Sequence, residues 1–302
     1  MPTATNSPRS TTNDHGTVII SAPGRAPRRG RGARTFGRVD VTSLAFRTDL
    51  ALLELGGSTV EDRGDHVVVR TPHNPTFWWG NFLLLDRVPQ PGEHEQWVDR
   101  FAETFPDARH LAFGVDGTVG RASDLAGFAD MGLSIDASTV MTATSVHRPP
   151  RPNDEAEYRR LTTDDDWAQS LRVRILANAT DDDPVSETFE SRRVATDRAT
   201  SAADEGAWFG AFLDGRLVSQ MGLAKAGPGL ARFRLVETDP AYRGRGLAGT
   251  LVHHVSEYGF GELGATTLVM VADPDYLAVR IYRSVGFDDT ETQLHALRRP
   301  PS

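Results

Sequence analysis

The segment Arg243-Gly244-Arg245-Gly246-Leu247-Ala248 follows a β-like run and opens a helix-like one. Glycines let a backbone turn tightly and approach a bulky group. A helix start leaves several N–H groups unpaired and carries the positive end of the helix dipole. Two arginines add charge. The segment reads as a cradle for a pyrophosphate-like anion, mounted at a strand–helix junction, and this requires an α/β arrangement around it.

The chain has 302 residues, enough for two domains of ordinary size. Hydrophobic residues make up 39 %, and no apolar run approaches the length of a membrane span. The start lacks the apolar stretch of a secretory leader, so a cytoplasmic protein with no membrane partner is expected. There is no cysteine, which excludes disulfides, thiol nucleophiles and cysteine-ligated metals. Lys225 is the single lysine against thirty-two arginines, so a lysine-based phosphate loop is excluded too. The net charge of −8 is uneven, with eight arginines against Asp14 and Asp40 before residue 48. A nucleic-acid enzyme more often carries its positive charge on the folded domain. No nucleic-acid partner is expected, and the arginines of segment 26–32 read as part of a solvated tail.

Residues 1–45 are rich in Ser, Thr, Pro, Gly and Arg and read as a disordered tail. Residues 46–147 read as a first domain, with strands at 66–70, 82–85, 110–115 and 140–145 and helices at 95–105 and 122–131. Residues 148–153, rich in proline and arginine, read as a linker. Residues 154–302 form a second set. A strand at 158–161 leads to a helix at 164–177, capped by Thr163, with Trp167, Leu171 and Ile175 on one side. A helix at 185–203 follows. Strands at 207–213 and 217–224 are joined by Asp214-Gly215, a hairpin signal. Then come a strand at 232–238, the glycine loop, a helix at 247–260 and a strand at 267–272. A helix at 274–285, with Asp273 as its cap, and a last strand through 294–297 close the chain.

The halves echo each other: Met131-Gly132-Leu133 and Val285-Gly286-Phe287 each end a helix and precede a final strand, about 154 residues apart. Where the second half has its glycine loop, the first has Arg87-Val88-Pro89-Gln90-Pro91-Gly92-Glu93. Prolines remove N–H donors and acid replaces base, so the first half should not bind the same anion in the same way.

Gly244, Gly246 and Gly249 also satisfy the G-x-G-x-x-G pattern of dinucleotide-binding folds, with Asp273 as an acidic residue after the next strand. That fingerprint wants its first glycine at the turn directly off the strand. Here Glu237 to Arg243 intervene, Pro240 among them. The run from Val236 to Ala248 instead resembles the acetyl-CoA signature of the GCN5-related N-acetyltransferases, in which Arg243, Gly246 and Ala248 match the loop pattern. Downstream, the run from Ala278 through Tyr282 to Gly286-Phe287 resembles the family's Ala-x-x-Leu-Tyr…Gly-Phe segment. The resemblance covers residues 154–299; residues 48–147 are similar in element order alone.

The resemblance implies an α/β (α+β) protein of two GNAT-like domains, each a mixed, mostly antiparallel twisted sheet flanked by helices, the first a degenerate copy. It implies an acetyl-CoA-dependent transfer of acetyl to an amine by direct attack, without a metal. The acceptor is a small-molecule or peptide amine, and a homodimer is left open. The cofactor-binding residues it implies are Val236, Glu237, Thr238, Arg243, Gly244, Arg245, Gly246, Leu247, Ala248, Gly249 and Asp275. At Asp275 the family often has asparagine, and a carboxylate cannot donate an amide N–H. Tyr282 matches the family's general acid. A tyrosine pKa of about 10 against about 8.5 for a thiol lets it donate to a leaving thiolate without being ionised at neutral pH. The family's strand glutamate is replaced by Met270, so Glu237 is the nearest carboxylate that could serve as base. A non-catalytic acyl-CoA-binding module is the competing reading.

Other features read as structural. Asp164-Asp165-Asp166 suits a helix start, and Asp181-Asp182-Asp183 a solvated loop; neither has the spacing of a calcium loop. His253 and His254 read as packing or surface residues, and Trp78 and Trp79 as closing a core.

Overall fold

The computed structural model describes residues 40–179 and 187–300. The arginine-rich tail up to residue 39 and Asp181-Asp182-Asp183 lie outside the described residues. The first half contains α1 (Leu44–Leu55), β1 (Thr59–Asp62), β2 (His66–Arg70), β3 (Phe82–Leu85), α2 (His94–Thr104), β4 (Leu111–Val115), α3 (Ala126–Asp130) and β5 (Ser134–Ala143). The second contains β6 (Glu157–Arg160), α4 (Asp164–Asn178), α5 (Glu187–Ala202), β7 (Gly206–Leu213), β8 (Arg216–Lys225), β9 (Leu230–Thr238), α6 (Leu247–Gly261), β10 (Thr267–Ala272), α7 (Ala278–Arg283) and β11 (Asp288–Arg298).

Local chemistry accounts for the well-formed elements. Thr163 and Asp166 cap α4 reciprocally, each side chain accepting the other's backbone N–H. Asp214 and Gly215 both take positive φ, 49° and 77°, as a two-residue turn matched to strand twist requires. Three expectations are corrected. Residues 40–45, expected to belong to the tail, are ordered, with Val41 buried and Ser43 capping α1; that helix and strand β1 were not legible in the sequence. The helix expected at 274–285 shrinks to α7, because Asp273 accepts the Asp275 N–H with its side chain (2.8 Å) and the Tyr276 N–H with its carbonyl (3.0 Å). Those bonds hold a turn where the cap was expected. Ile175 is half-buried, and the inward face of α4 carries Asp166, Trp167, Ser170, Val173 and Arg174.

All eleven strands form one sheet, in the order β1-β2-β3-β4-β11-β5-β10-β9-β8-β7-β6. The halves exchange their final strands. Strand β5 of the first half pairs antiparallel with β10, from Leu268↔Ala143 to Ala272↔Thr139, and on its other edge with β11. Strand β11 of the second half pairs in turn with β4 of the first. Met141 and Ala143 therefore share a core with Leu251, Leu268, Tyr282 and Phe287, while Leu294 and Ala296 share one with Phe113 and Leu125. Neither half completes its core alone.

A buried polar knot fastens α1 to the second half. Arg232 on β9 donates to Thr48 Oγ1 (2.9 Å) and faces Asp49 (3.3 Å), whose other oxygen accepts from Gln293 on β11 (2.7 Å). His295, beside this knot, lies against Trp79 and Phe46 with ring centroids at 4.3 and 5.3 Å. Trp79 is thus part of a core. Burial, reinforced by Arg232, pushes the His295 pKa down to about 3. The unfolded chain therefore takes up a proton at this site below about pH 6.5 that the folded chain refuses. Stability from His295 is full above that pH and is lost as pH falls toward 3. Between pH 7 and 5 the loss is about 2 kcal/mol. His295→Phe, which keeps the ring contacts, should lose correspondingly less stability between those pH values in urea denaturation.

Candidate active site

Strands β9 and β10 run parallel and start as neighbours, pairing at Thr267↔Leu230, Leu268↔Ala231 and Val269↔Arg232. Beyond that they part. Strand β9 continues to Thr238 with its β10-facing edge unpaired, while β10 stays on β5 to its end. The bend has a local origin. Leu235 adopts φ of 50°, left-handed for a non-glycine residue, and the β8–β9 register slips between Gln220 and Gly222. Two residues, Leu235 and Val236, then sit opposite Met221 alone, and such a bulge bends the strand that carries it. The result is a cleft between two strands that in an ordinary parallel sheet would be zipped together.

The glycine loop closes one end of this cleft. Asp239 turns the chain off β9: its Oδ1 accepts the Ala241 N–H (3.0 Å), and Arg172 and Arg216 face its Oδ2 at 3.3 and 3.2 Å. A single helical turn over Pro240–Tyr242 follows. Gly244 and Gly246 then take φ of 75° and 77°, and α6 begins. At Gly246 a side chain is excluded twice, by its φ and by the Arg151 carbonyl, 2.5 Å from where a Cβ would stand. The N–H groups of Gly244, Arg245, Gly246, Leu247, Ala248 and Gly249 donate to no acceptor among the described residues. They form a fan of unpaired donors at the positive end of a fifteen-residue helix, an arrangement suited to a pyrophosphate. The glycines stand after an intervening helical turn rather than directly off the strand, unlike a dinucleotide fingerprint.

The side chains expected at this site are distributed unevenly. Arg243 bends back, its guanidinium reaching the carbonyls of Thr238 (3.3 Å) and Ala177 (3.4 Å). Arg245 pairs with Glu155 (2.9 Å) and lies over Tyr242. The charge that sequence reading assigned to a bound anion is therefore used to brace the loop. Asp275 is exposed in the turn before α7, with its backbone N–H given to Asp273. Tyr282 is buried in the core beneath the cleft, among residues such as Met270, Val279 and Leu251. That burial raises its pKa well above the usual tyrosine range, with Tyr276 adding to the effect, so the hydroxyl keeps its proton at neutral pH.

Glu237 is 7 % exposed and faces α4. Its Oε1 accepts from Asn178 (2.9 Å), its Oε2 from Gln220 (2.8 Å), and Arg174 Nε stands 3.6 Å from Oε2. Arg174 itself is completely buried, with Asp197 at 2.8 Å and Glu190 at 3.7 Å. Burial works against its charge, but Glu237, Asp197 and Glu190 outweigh that and hold the guanidinium above its ordinary pKa. Burial raises the Glu190 pKa despite Arg193 and Arg174. Sequence reading missed this cluster because charged residues on a helix are read by default as its solvated face. The clue lay in position, since Arg174 follows Trp167 by seven residues and so shares its inward stripe.

The corresponding place in the first half is shut. Strands β3 and β4 pair up to Leu85↔Val115, and the Asp116 N–H continues the ladder to the Leu85 carbonyl (2.8 Å). Glu93 occupies the start of α2, accepting the Gln90 N–H (2.7 Å) and clasped by Arg87 through both oxygens (2.8 and 3.0 Å). The Arg87 contact first, then the Gln90 N–H, lowers its pKa to about 2.

Comparison with known proteins agrees with this geometry. Residues 172–287 match the acetyltransferase (GNAT) family. Mycothiol acetyltransferases of two Mycobacterium strains, JLS and MCS, are each 35 % identical over 101 residues, or 32 % of this chain. The match spans about a third of those relatives, 34 % of their length. Among solved structures, a conserved protein of unknown function from Staphylococcus epidermidis has a TM-score of 0.63 at 12 % identity, covering 80 % of this chain and 93 % of its own. A GCN5-related N-acetyltransferase from Kribbella flavida gives 0.57 at 17 % identity, over 86 % and 98 % of the two chains. A tandem GNAT protein from the clavulanic acid biosynthesis pathway gives 0.52 at 14 % identity, over 83 % and 88 %. At those identities the structural likeness speaks for the fold. The mixed α/β fold, with its splayed parallel pair and glycine-rich helix start, is thus similar to that of GCN5-related N-acetyltransferases. The part of this chain that matches the GNAT acetyltransferase family is the segment that holds this site, residues 172–287. Among the described residues no cluster of His, Asp or Glu could hold a metal ion, and no helix is long and apolar enough to cross a membrane.

Breaking one side of a buried charge cluster strands the other. Arg174→Met should therefore lower stability by about 3–5 kcal/mol in urea denaturation, whereas Arg243→Met, at an exposed site, should stay within about 1 kcal/mol of wild type.

Proposed function

We propose that this chain is an acetyl-CoA-dependent N-acetyltransferase that moves an acetyl group to a small-molecule or peptide amine by direct attack. The observation that carries the proposal is the parting of β9 and β10 in front of a helix start whose N–H groups are free. Bound acetyl-CoA supplies an activated acetyl thioester; the remaining tasks fall to the chain. The N–H groups of Gly244 to Gly249 hold the pyrophosphate, and the dipole of α6 favours its charge. Arg243 and Arg245 brace that loop. Asp239 gives its N–H to Val218 on β8 (2.9 Å), and N–H directions alternate along a strand. Thr238 and Val236 therefore turn theirs toward the cleft, where they pair with the pantetheine arm as a strand would and polarise the thioester carbonyl. Asp275 is left with an acceptor's role alone.

Tyr282 is the proposed proton donor to the leaving thiolate. Burial keeps its hydroxyl protonated across the working pH range, so its own ionisation imposes no alkaline limb below about pH 10. Tyr282→Phe should lower kcat by roughly 10²-fold with little change in KM for acetyl-CoA, measured as thiol release with a responsive amine. If no member of a broad amine panel provokes thiol release while acetyl-CoA still binds, the chain is a binding module instead.

Glu237 is the proposed group that receives the acceptor's N–H. Its three-way engagement with Asn178, Gln220 and Arg174 gives it a structural duty as well, and one variant separates the two. Glu237→Gln removes one of the carboxylates facing Arg174 and should lower Tm; a fall in kcat of roughly 10²-fold, measured at a temperature where the variant stays folded, marks the proton acceptor. A fall in Tm with kcat intact marks a scaffold residue. The first half, closed between β3 and β4, is proposed as a degenerate copy that carries no cofactor and completes the sheet of the second.

A further inference from the structure

The segment joining the halves does more than connect them. It leaves β5 through His147, whose N–H bonds the Val285 carbonyl (2.9 Å), and runs along the start of α6 to Asn153. Pro149 lies 3.5 Å from where a Cβ on Gly249 would stand, and the Arg151 carbonyl occupies the corresponding space at Gly246. Asn153 is 7 % exposed and uses every polar group it has. Its Nδ2 donates to the Arg245 carbonyl (3.0 Å) and its backbone N–H to Thr250 Oγ1 (2.9 Å). Its Oδ1 accepts the N–H groups of Glu155 (3.2 Å) and Ala156 (3.0 Å), and its carbonyl accepts the Tyr158 hydroxyl (3.0 Å). Thr250 in turn donates to the Gly246 carbonyl (3.1 Å).

The direction of these bonds matters. The loop's carbonyls are pulled toward Asn153 and Thr250, and a peptide unit whose carbonyl is fixed on one side must present the next N–H on the other. The Arg245 carbonyl and the Gly246 N–H belong to one peptide unit, and the Gly246 carbonyl and the Leu247 N–H to the next. Gly246 and Gly244, both at positive φ, are the residues through which this loop could most easily relax. A loop free to relax would first have to be ordered by its ligand, at a cost in affinity.

We infer that Asn153 is a positioning residue: through the Arg245 carbonyl and Thr250 it fixes the glycine loop in its anion-binding form, so that the linker between the halves sets the affinity of the second for the pyrophosphate of a coenzyme A ester. This rests on the cofactor assignment proposed above. Asn153→Asp keeps the acceptor for Glu155 and Ala156 but removes the donor to Arg245. Thr250→Val removes the second tether at nearly constant shape.

The test is calorimetric titration of coenzyme A, alongside kinetics with acetyl-CoA and with acetylpantetheine, which lacks the pyrophosphate. Asn153→Asp is expected to weaken coenzyme A binding and raise KM for acetyl-CoA about tenfold each, with kcat and the acetylpantetheine kinetics unchanged. Thr250→Val should move the same quantities the same way. Wild-type affinity in both variants overturns the inference, as does an equal loss with acetylpantetheine, which marks a general structural defect. If the wild-type chain itself fails to bind coenzyme A, the cofactor assignment falls, which is a different result from either.

Discussion

Everything in this fold hangs on where β5 lies. It belongs to the first half by sequence, yet it fills the place between β10 and β11. Strand β10 has β9 beside it for three residue pairs only, and a strand left unpaired over its last residues would have nothing to hold it straight while β9 bends away. The five pairs from β5 supply that support. The cleft can open because β10 is held from the other side. Exchange of β11 in the opposite direction makes the dependence mutual, since β4 finishes against a strand that the second half provides. The pairing buries apolar side chains of each half in the core of the other, so the hydrophobic driving force for folding acts on the joined sheet.

Charge inside the molecule follows the same division. Arg232 and Arg174 are both buried, and each is answered by side chains from other elements. Arg232 reaches across the junction to Thr48 and Asp49, and Gln293 reaches the same carboxylate from the exchanged strand. A misplaced half would leave three polar groups buried without partners, an expense of several kcal/mol that apolar packing alone would not impose. The knot therefore selects one docking of α1 on the sheet. Arg174 does the analogous thing within the second half, holding α5 through Asp197 and Glu190 and β9 through Glu237, next to the cleft wall.

Much of the second half was legible because its signals are local. The Asp214-Gly215 turn, the Thr163 cap and the apolar run of β10 each depend on a few adjacent residues. The glycine loop was legible for the same reason. What escaped depends on partners far along the chain. Helix α1 buries Thr48 and Asp49 together with Phe46, Leu50 and Leu53, so its inward stripe is not apolar and its period is blurred. Its polar members make sense only beside Arg232 and Gln293. Strand β1 is four largely exposed residues, with nothing to mark a face. The exchange of β5 and β11 leaves no mark either, since each has the alternation that any neighbour in the sheet would accept. At the site, positions were legible and uses were not: Arg243 and Arg245 lie at the loop as expected, but their guanidinium groups are spent on carbonyls and on Glu155.

The contrast between the halves brings out the features that the proposed cofactor cleft combines. Both have a parallel pair, β3–β4 and β9–β10, and both place a helix after the first strand of the pair. Two differences separate them. The first half has no bulge to bend β3, which is four residues long and paired to its end, so no edge is exposed. Its helix start already holds a carboxylate, Glu93, kept ionised by Arg87. Either change alone would still oppose binding. An open cleft with an occupied helix start repels a second anion, and a free helix start in front of zipped strands offers no room for an extended arm. The second half meets both conditions, through Leu235 for the bend and through Gly244 and Gly246 for the free donors. A site here therefore depends on three backbone positions at positive φ more than on any charged side chain, which is why arginines could be diverted to bracing the loop without emptying it of attraction for an anion.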